Sequence, residues 1–195
     1  MALPINREQA IELLKKYNNP DDKSDWNHYL ESEAIMRALA QKLGEDQDYW
    51  AMLGLLHDID WGLTKNNIQE HLTKAPEILK EAGFDQDFIN IVISHGYGFD
   101  CAGLLDKKRT TKVEHALAAA ETLTGLIYAY ALMRGKKISD MEAKGLKKKF
   151  KDKTFAANCN REIIREIEQT GLELGEFFQL SIEAIKNIKD QIGLE

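Results

Sequence analysis

Apolar residues recur at intervals of three and four along almost the whole chain. No alternation of period two persists beyond a few residues, so the pattern predicts an all-α protein. A first helix opens at Asn6, with Gln9 completing a capping box. Ile5, Ala10, Leu13 and Leu14 form its apolar side, and Asn18-Asn19-Pro20 ends it. A second runs from about Trp26 to Leu43, with Leu30, Ala34, Ile35, Ala38 and Leu39 inward and Gly44 as its stop. A third covers about Asp46 to Asp58 and carries the apolar stretch Met52 to Leu56. A fourth spans roughly Ile68 to Glu81, ending at Gly83, and a fifth starts at Asp85 and reaches about His95.

Between Gly96 and Thr111 the period lapses and glycines stand at 96, 98 and 103, which predicts a loop. An alanine-rich helix follows from about Lys112 to Met133. Ser139 with Glu142 reads as a capping box for the next helix, Asn160 opens another that ends near Gly171, and a last one runs from Glu173 to Ile192. Repeats are not evident, and three prolines mark no linker. The expectation is one domain over residues 1–195, with a core at about 26–133 and a helical appendage at about 139–195. Any boundary falls near Arg134 to Ser139. The length suffices to bury a core without staples.

Charge narrows the partners. Twenty-six Lys and Arg against 32 Asp and Glu give −6. That sum argues against a nucleic-acid partner, which needs a basic surface, but leaves room for a small anionic substrate. Lysines at 144, 147, 148, 149, 151 and 153 form a basic cluster. A solvated helix face is its default reading, and a phosphate-attracting rim the sharper alternative. Two cysteines, Cys101 and Cys159, allow one disulfide but no framework, so a reducing, cytoplasmic setting is expected. The first ten residues lack the features of a signal peptide. The mainly apolar segment Leu123 to Met133 falls short of the ~20 residues that span a bilayer, so no membrane association is expected.

Candidate chemistry gathers on histidines. His57 and Asp58 stand together at the polar end of Gly54-Leu-Leu-His-Asp-Ile-Asp60. Burying an imidazole and a carboxylate there is costly unless they are paired or ligated. On a continuing helix the two would point ~100° apart and serve one metal from two sides, or bridge two metals through the carboxylate. His28 lies on the preceding helix, His71 near the start of the fourth and His95 at the end of the fifth, so all can converge at one end of a bundle. Imidazole and carboxylate together suit Mn, Fe, Co, Ni or Zn. Asp60 is either a general base or a cap for the turn at Trp61-Gly62. Tyr97 and Phe99 either stack on a base or pack in the core. His115 is the histidine least suited to be a ligand, and Glu114 beside it reads as a surface residue.

Over about Trp26 to Met133 these residues resemble the HD superfamily of metal-dependent phosphohydrolases, whose pattern is an early His, an HD doublet and a later Asp on a long helix. His28, His57 and Asp58 match. The last position aligns by context with Glu121, a departure, because Glu carries one more methylene than Asp. The resemblance implies an HD-type helical bundle with added C-terminal helices. It also implies one or two divalent transition metals held by His28, His57, Asp58 and Glu121, with His71 and His95 as further metal or phosphate ligands. Catalytic roles fall to Asp58 and Asp60. The implied reaction is hydrolysis of a small phosphate ester, a nucleotide among the candidates, by metal-activated water. The departure at Glu121 keeps a second reading open: a metal- or nucleotide-binding module without turnover.

Overall fold

The computed structural model describes residues 3–195, and every regular element among them is helical. In chain order the helices are α1 (Arg7–Tyr17), α2 (Lys23–Leu43), α3 (Gln47–Leu56), α4 (Trp61–Thr64), α5 (Ala75–Glu81), α6 (Gln86–Ser94), α7 (Lys112–Met133), α8 (Ala143–Lys151), α9 (Arg161–Arg165) and α10 (Leu174–Lys186). Tighter 3-10 turns occupy Ile68–Glu70 and Glu166–Thr170. Local chemistry sets most boundaries. The Asn6–Gln9 capping box starts α1, and Gly44 at φ +74° closes α2 in the left-handed region. Asp46, Asp85 and Asn160 cap α3, α6 and α9 with their side chains, and a Thr111–Glu114 box starts α7.

α7 is the central helix. By length and composition it is apolar enough to cross a membrane, and longer than the segment Leu123 to Met133 indicated. Here its apolar side chains have protein neighbours: Ala116 to Ala120, Leu123, Leu126 and Ile127 are buried against α2, α3, α6, α8 and α9. α2 lies most extensively on α3. A Cβ built on Gly54 would stand 2.5 Å from the Ser32 carbonyl oxygen, so only glycine permits that approach. The C-terminal helices close the bundle, with Phe150 of α8 against Phe178 of α10 and α10 packed on α2.

Four elements differ from the sequence expectation. α3 stops at Leu56, with His57 as its C-cap and Asp58 in the following turn, so the pair does not sit on a continuing helix. Asn18 holds that turn. Its amide donates to the Leu14 and Ile59 carbonyls, and its side-chain oxygen accepts from the Tyr29 hydroxyl and the Gly62 N–H. The expected helix from Ile68 to Glu81 is broken in two. Leu72 takes φ +68°, Pro76 fits only the first turn of a helix, and the Asp60 carboxylate accepts from Lys74 and Ala75 N–H to start α5 there. Ser139 and Glu142 form no capping box, because the Ile138 and Ser139 N–H groups donate to the Glu195 carbonyl and α8 begins at Ala143. The Glu195 carbonyl satisfies the buried Ile138 N–H, and a turn bond to the Ile138 carbonyl satisfies that of Met141. The last helix is also shorter than expected, giving way to turns after Lys186.

Candidate metal centre

Four histidines and one aspartate converge where α2, α3, the turn before α5 and α6 meet. Asp58 Oδ2 lies 3.7 Å from His28 Nε2 and 3.5 Å from His57 Nε2, and its Oδ1 lies 3.3 Å from His71 Nε2 and 3.2 Å from His95 Nε2. The ligand atoms of His28, His57 and Asp58 lie within 4.8 Å of one another, as do those of Asp58, His71 and His95. The carboxylate thus belongs to two three-residue groups, one on each oxygen.

The opposite edge of each ring has a defined partner. His57 Nδ1 is 2.8 Å from the Gly54 carbonyl and His95 Nδ1 is 2.7 Å from the Val92 carbonyl, so both nitrogens donate. Those carbonyls belong to the last turns of α3 and α6, where helical carbonyls run out of helical partners. The Thr124 hydroxyl donates its proton to the Glu121 carbonyl and therefore accepts from His28 Nδ1 at 2.8 Å. His71 Nδ1 faces Asp60 Oδ1 at 3.2 Å, and a carboxylate only accepts. The rings of His28, His57 and His95 are therefore steered to the tautomer that leaves a lone pair on Nε2.

Two such lone pairs repel. His28 Nε2 and His57 Nε2 nevertheless stand 2.9 Å apart. A cation shared by the nitrogens removes the repulsion, and a borderline metal with imidazole and carboxylate ligands is the chemistry this donor set fits. Electrostatics agree. Burial pushes His57 down to about 3, which keeps its imidazole neutral. Burial also pushes His71 down, but the Asp58 and Asp60 carboxylates outweigh that and lift it to about 10, a measure of how strongly this spot favours positive charge. Burial alone would raise the Asp58 carboxyl; the surrounding imidazoles hold it well below the carboxylate range.

A cavity of ≈ 430 Å³ opens on the group, walled by Asp58, His71 and His95 on one side and Glu121, Thr122 and Asn158 on the other. Phe99 and Ile68 also line it and stay about half exposed, whereas Tyr97 packs against the core. Cys101 and Cys159 both reach the cavity wall as free thiols, so the disulfide that two cysteines allow is not formed.

Glu121 lines the same cavity as His28, Asp58, His71 and His95 and feels the charge of His28 and His95, but its carboxyl does not join their close-packed ligand atoms. Among the described residues it belongs to neither group, its carboxyl bonds the Thr122 hydroxyl, and burial pushes its pKa up. Thr124, three residues further along the same face of α7, takes the place beside His28. Asp60 is fully buried, and both its oxygens face protein, one the start of α5 and the other His71. His115 lies apart, bonded to Glu166. Glu166 also takes a two-pronged bond from Arg109, whose guanidinium donates to the carbonyls of Ser94, His95 and Tyr97 and so fixes the end of α6 that carries His95. Sequence reasoning missed Thr124, Asn18 and Arg109. Only Thr124 had a signal there, its spacing of three from Glu121.

Residues 25–132 match the family model for the HD domain, and the chain belongs to that family. It is 25% identical over 191 residues to Ribonuclease Y of Sulfurovum sp. (strain NBC37-1), covering 95% of this chain and 36% of that protein. Ribonuclease Y of Thermotoga maritima is 24% identical over 193 residues, covering 94% and 36%, and that of Fusobacterium nucleatum subsp. nucleatum 24% over 196 residues, covering 97% and 37%. The chain thus spans little more than a third of the length of these curated relatives. No solved structure matches it.

Proposed function

We propose that the chain is a metal-dependent phosphohydrolase that cleaves phosphodiester bonds of RNA. The observation that carries the hydrolase is the pair of histidine groups sharing the Asp58 carboxylate. The RNA substrate is supported by relatives bearing the name Ribonuclease Y, and it stands against the sequence expectation of a small substrate and no nucleic acid. The total of −6 that led to that expectation averages over a strongly uneven distribution, since residues 143–153 alone hold six lysines and one aspartate, or +5.

In this reading His28, His57 and Asp58 would hold one divalent ion, and Asp58, His71 and His95 would hold a second. When bound, such ions polarise phosphoryl oxygens and lower the pKa of water from 15.7 towards about 7. The remaining residues act on geometry. Gly54, Val92 and Thr124 fix ring orientation from behind. Asp60 becomes the positioning residue for His71, in place of the general base expected from sequence, because it is fully buried with both oxygens turned to protein. Phe99 at the cavity offers a face on which an unpaired base can stack.

The test is elemental analysis of the purified protein, followed by cleavage of a single-stranded RNA oligonucleotide with Mn, Co, Ni or Zn added after chelation. Two ions per chain and metal-dependent cleavage, both abolished in Asp58→Ala, are expected. Full metal content in Asp58→Ala would sink the site. Intact metal with release of phosphate from nucleotides but no RNA cleavage would restore the small-substrate reading. Metal and nucleotide binding without turnover would restore the binding module, which Glu121 kept open.

A further inference from the structure

The basic cluster on α8 has a geometry that a solvated helix face does not need. Lys144, Lys147, Lys148 and Lys151 stand at i, i+3, i+4 and i+7, so they form one stripe, opposite the buried Leu146 and Phe150. All four are exposed, and among the described residues none forms an ion pair. Like charges at these spacings repel and weaken a helix. The helix dipole offsets that only in the last turn, which leaves Lys144 and Lys147 uncompensated. Lys149 is turned away and packs over the Tyr130 and Phe155 rings.

The stripe is tied to the cavity. Asn158, Cys159 and Asn160 line the cavity, and Lys151 precedes Asn158 by seven residues, at most about 25 Å of chain. Arg161 makes the connection rigid. Its guanidinium donates to the carbonyls of Phe150, Asp152, Phe155, Ala156 and Cys159, clamping the segment between α8 and α9 on one side chain. The end of α8 and the cavity lip are therefore joined through one side chain.

We propose that the lysine stripe of α8 is a docking surface for the sugar-phosphate backbone of single-stranded RNA, which it leads across the Asn158–Asn160 lip to the cavity at Asp58. This rests on the phosphodiesterase reading for its direction, but the surface itself rests on charge and geometry. Single strands fit because Asp58, His71 and His95 lie within the cavity wall, at 13%, 11% and 7% side-chain exposure, where a strand with unstacked bases reaches and a duplex backbone does not.

The experiment uses the full chain and the variant K147E/K148E/K151E, its fold checked by far-UV circular dichroism. Fluorescence anisotropy with a labelled single-stranded RNA, in excess chelator, measures binding without turnover. The variant is expected to bind at least about 10-fold more weakly, and its log Kd against log salt slope should fall by about 2, three phosphate contacts at ~0.7 each. Hydrolysis of bis(4-nitrophenyl) phosphate should be unchanged in the variant. Equal RNA affinity and equal salt slope in the two proteins overturn the inference. So does wild-type binding to phosphatidylglycerol vesicles without binding to RNA. Lysine-dependent RNA binding by a protein that hydrolyses no phosphodiester supports the surface and instead overturns the catalytic reading.

Discussion

His28 and His57 face each other with Nε2 atoms 2.9 Å apart, and each ring has its other nitrogen committed behind it, to Thr124 and to the Gly54 carbonyl. His71 and His95 also approach, to 3.3 Å between Nε2 atoms, but there the Asp58 and Asp60 carboxylates favour a protonated His71. The His28–His57 contact is not a hydrogen bond between neutral rings of these tautomers. With Asp58 the two nitrogens form a group that could hold a metal ion.

Thr124 is the acceptor that sets the His28 tautomer. Thr124→Val keeps the shape of the side chain and removes that acceptor. Loss of such an outer partner typically lowers metal affinity 10–100-fold. We expect a loss in that range from chelator competition, with Thr124→Ser close to wild type. Equal affinities in all three proteins would show that Thr124 does not orient the ligand.

Glu121 lies outside both histidine groups, where the family pattern had suggested a ligand. Glu121→Gln should therefore keep the metal content of wild type and change its affinity less than threefold, within ~0.7 kcal/mol. A drop of one ion per chain, measured by elemental analysis, would return Glu121 to the ligand set.

Glu31 is buried, its Oε1 lacks a partner, and burial pushes its pKa up to about 8. A carboxyl raised above its unfolded value of about 4.3 contributes stability in acid, and that contribution is lost as pH rises through the folded value. Glu31→Gln should thus be near neutral at about pH 5 and stabilising at about pH 9, on the order of 1–3 kcal/mol for relief of a buried unpaired group. Urea midpoints at the two pH values check this, and a pH-independent difference would refute it.

Gly54 has no room for a methyl group against the Ser32 carbonyl. Gly54→Ala should force α2 and α3 apart and cost about 1–3 kcal/mol, the usual range for overpacking. Because the Gly54 carbonyl also orients His57, metal affinity should fall with stability. Denaturant midpoints and chelator titration read the two effects separately.

The sequence by itself determined most of the helices and the identity of the histidines. α7 runs over the residues that periodicity predicted, and the caps at Asn6 and Gly44 lie where their side chains or backbone freedom place them. Such features are legible because they depend on residues three or four apart. Tertiary structure decided the break at Leu72, the end of α3 before His57, and the start of α8 beyond Ser139. Each is set by a distant partner, namely the Asp60 carboxylate, the Asn18 amide and the Glu195 carbonyl. It also decided which nitrogens meet. The resemblance named the four histidines, but spacing along a sequence does not fix distances between helix ends, so only packing could set all four around one carboxylate, leave His115 on Glu166, and place the Thr124 hydroxyl behind His28.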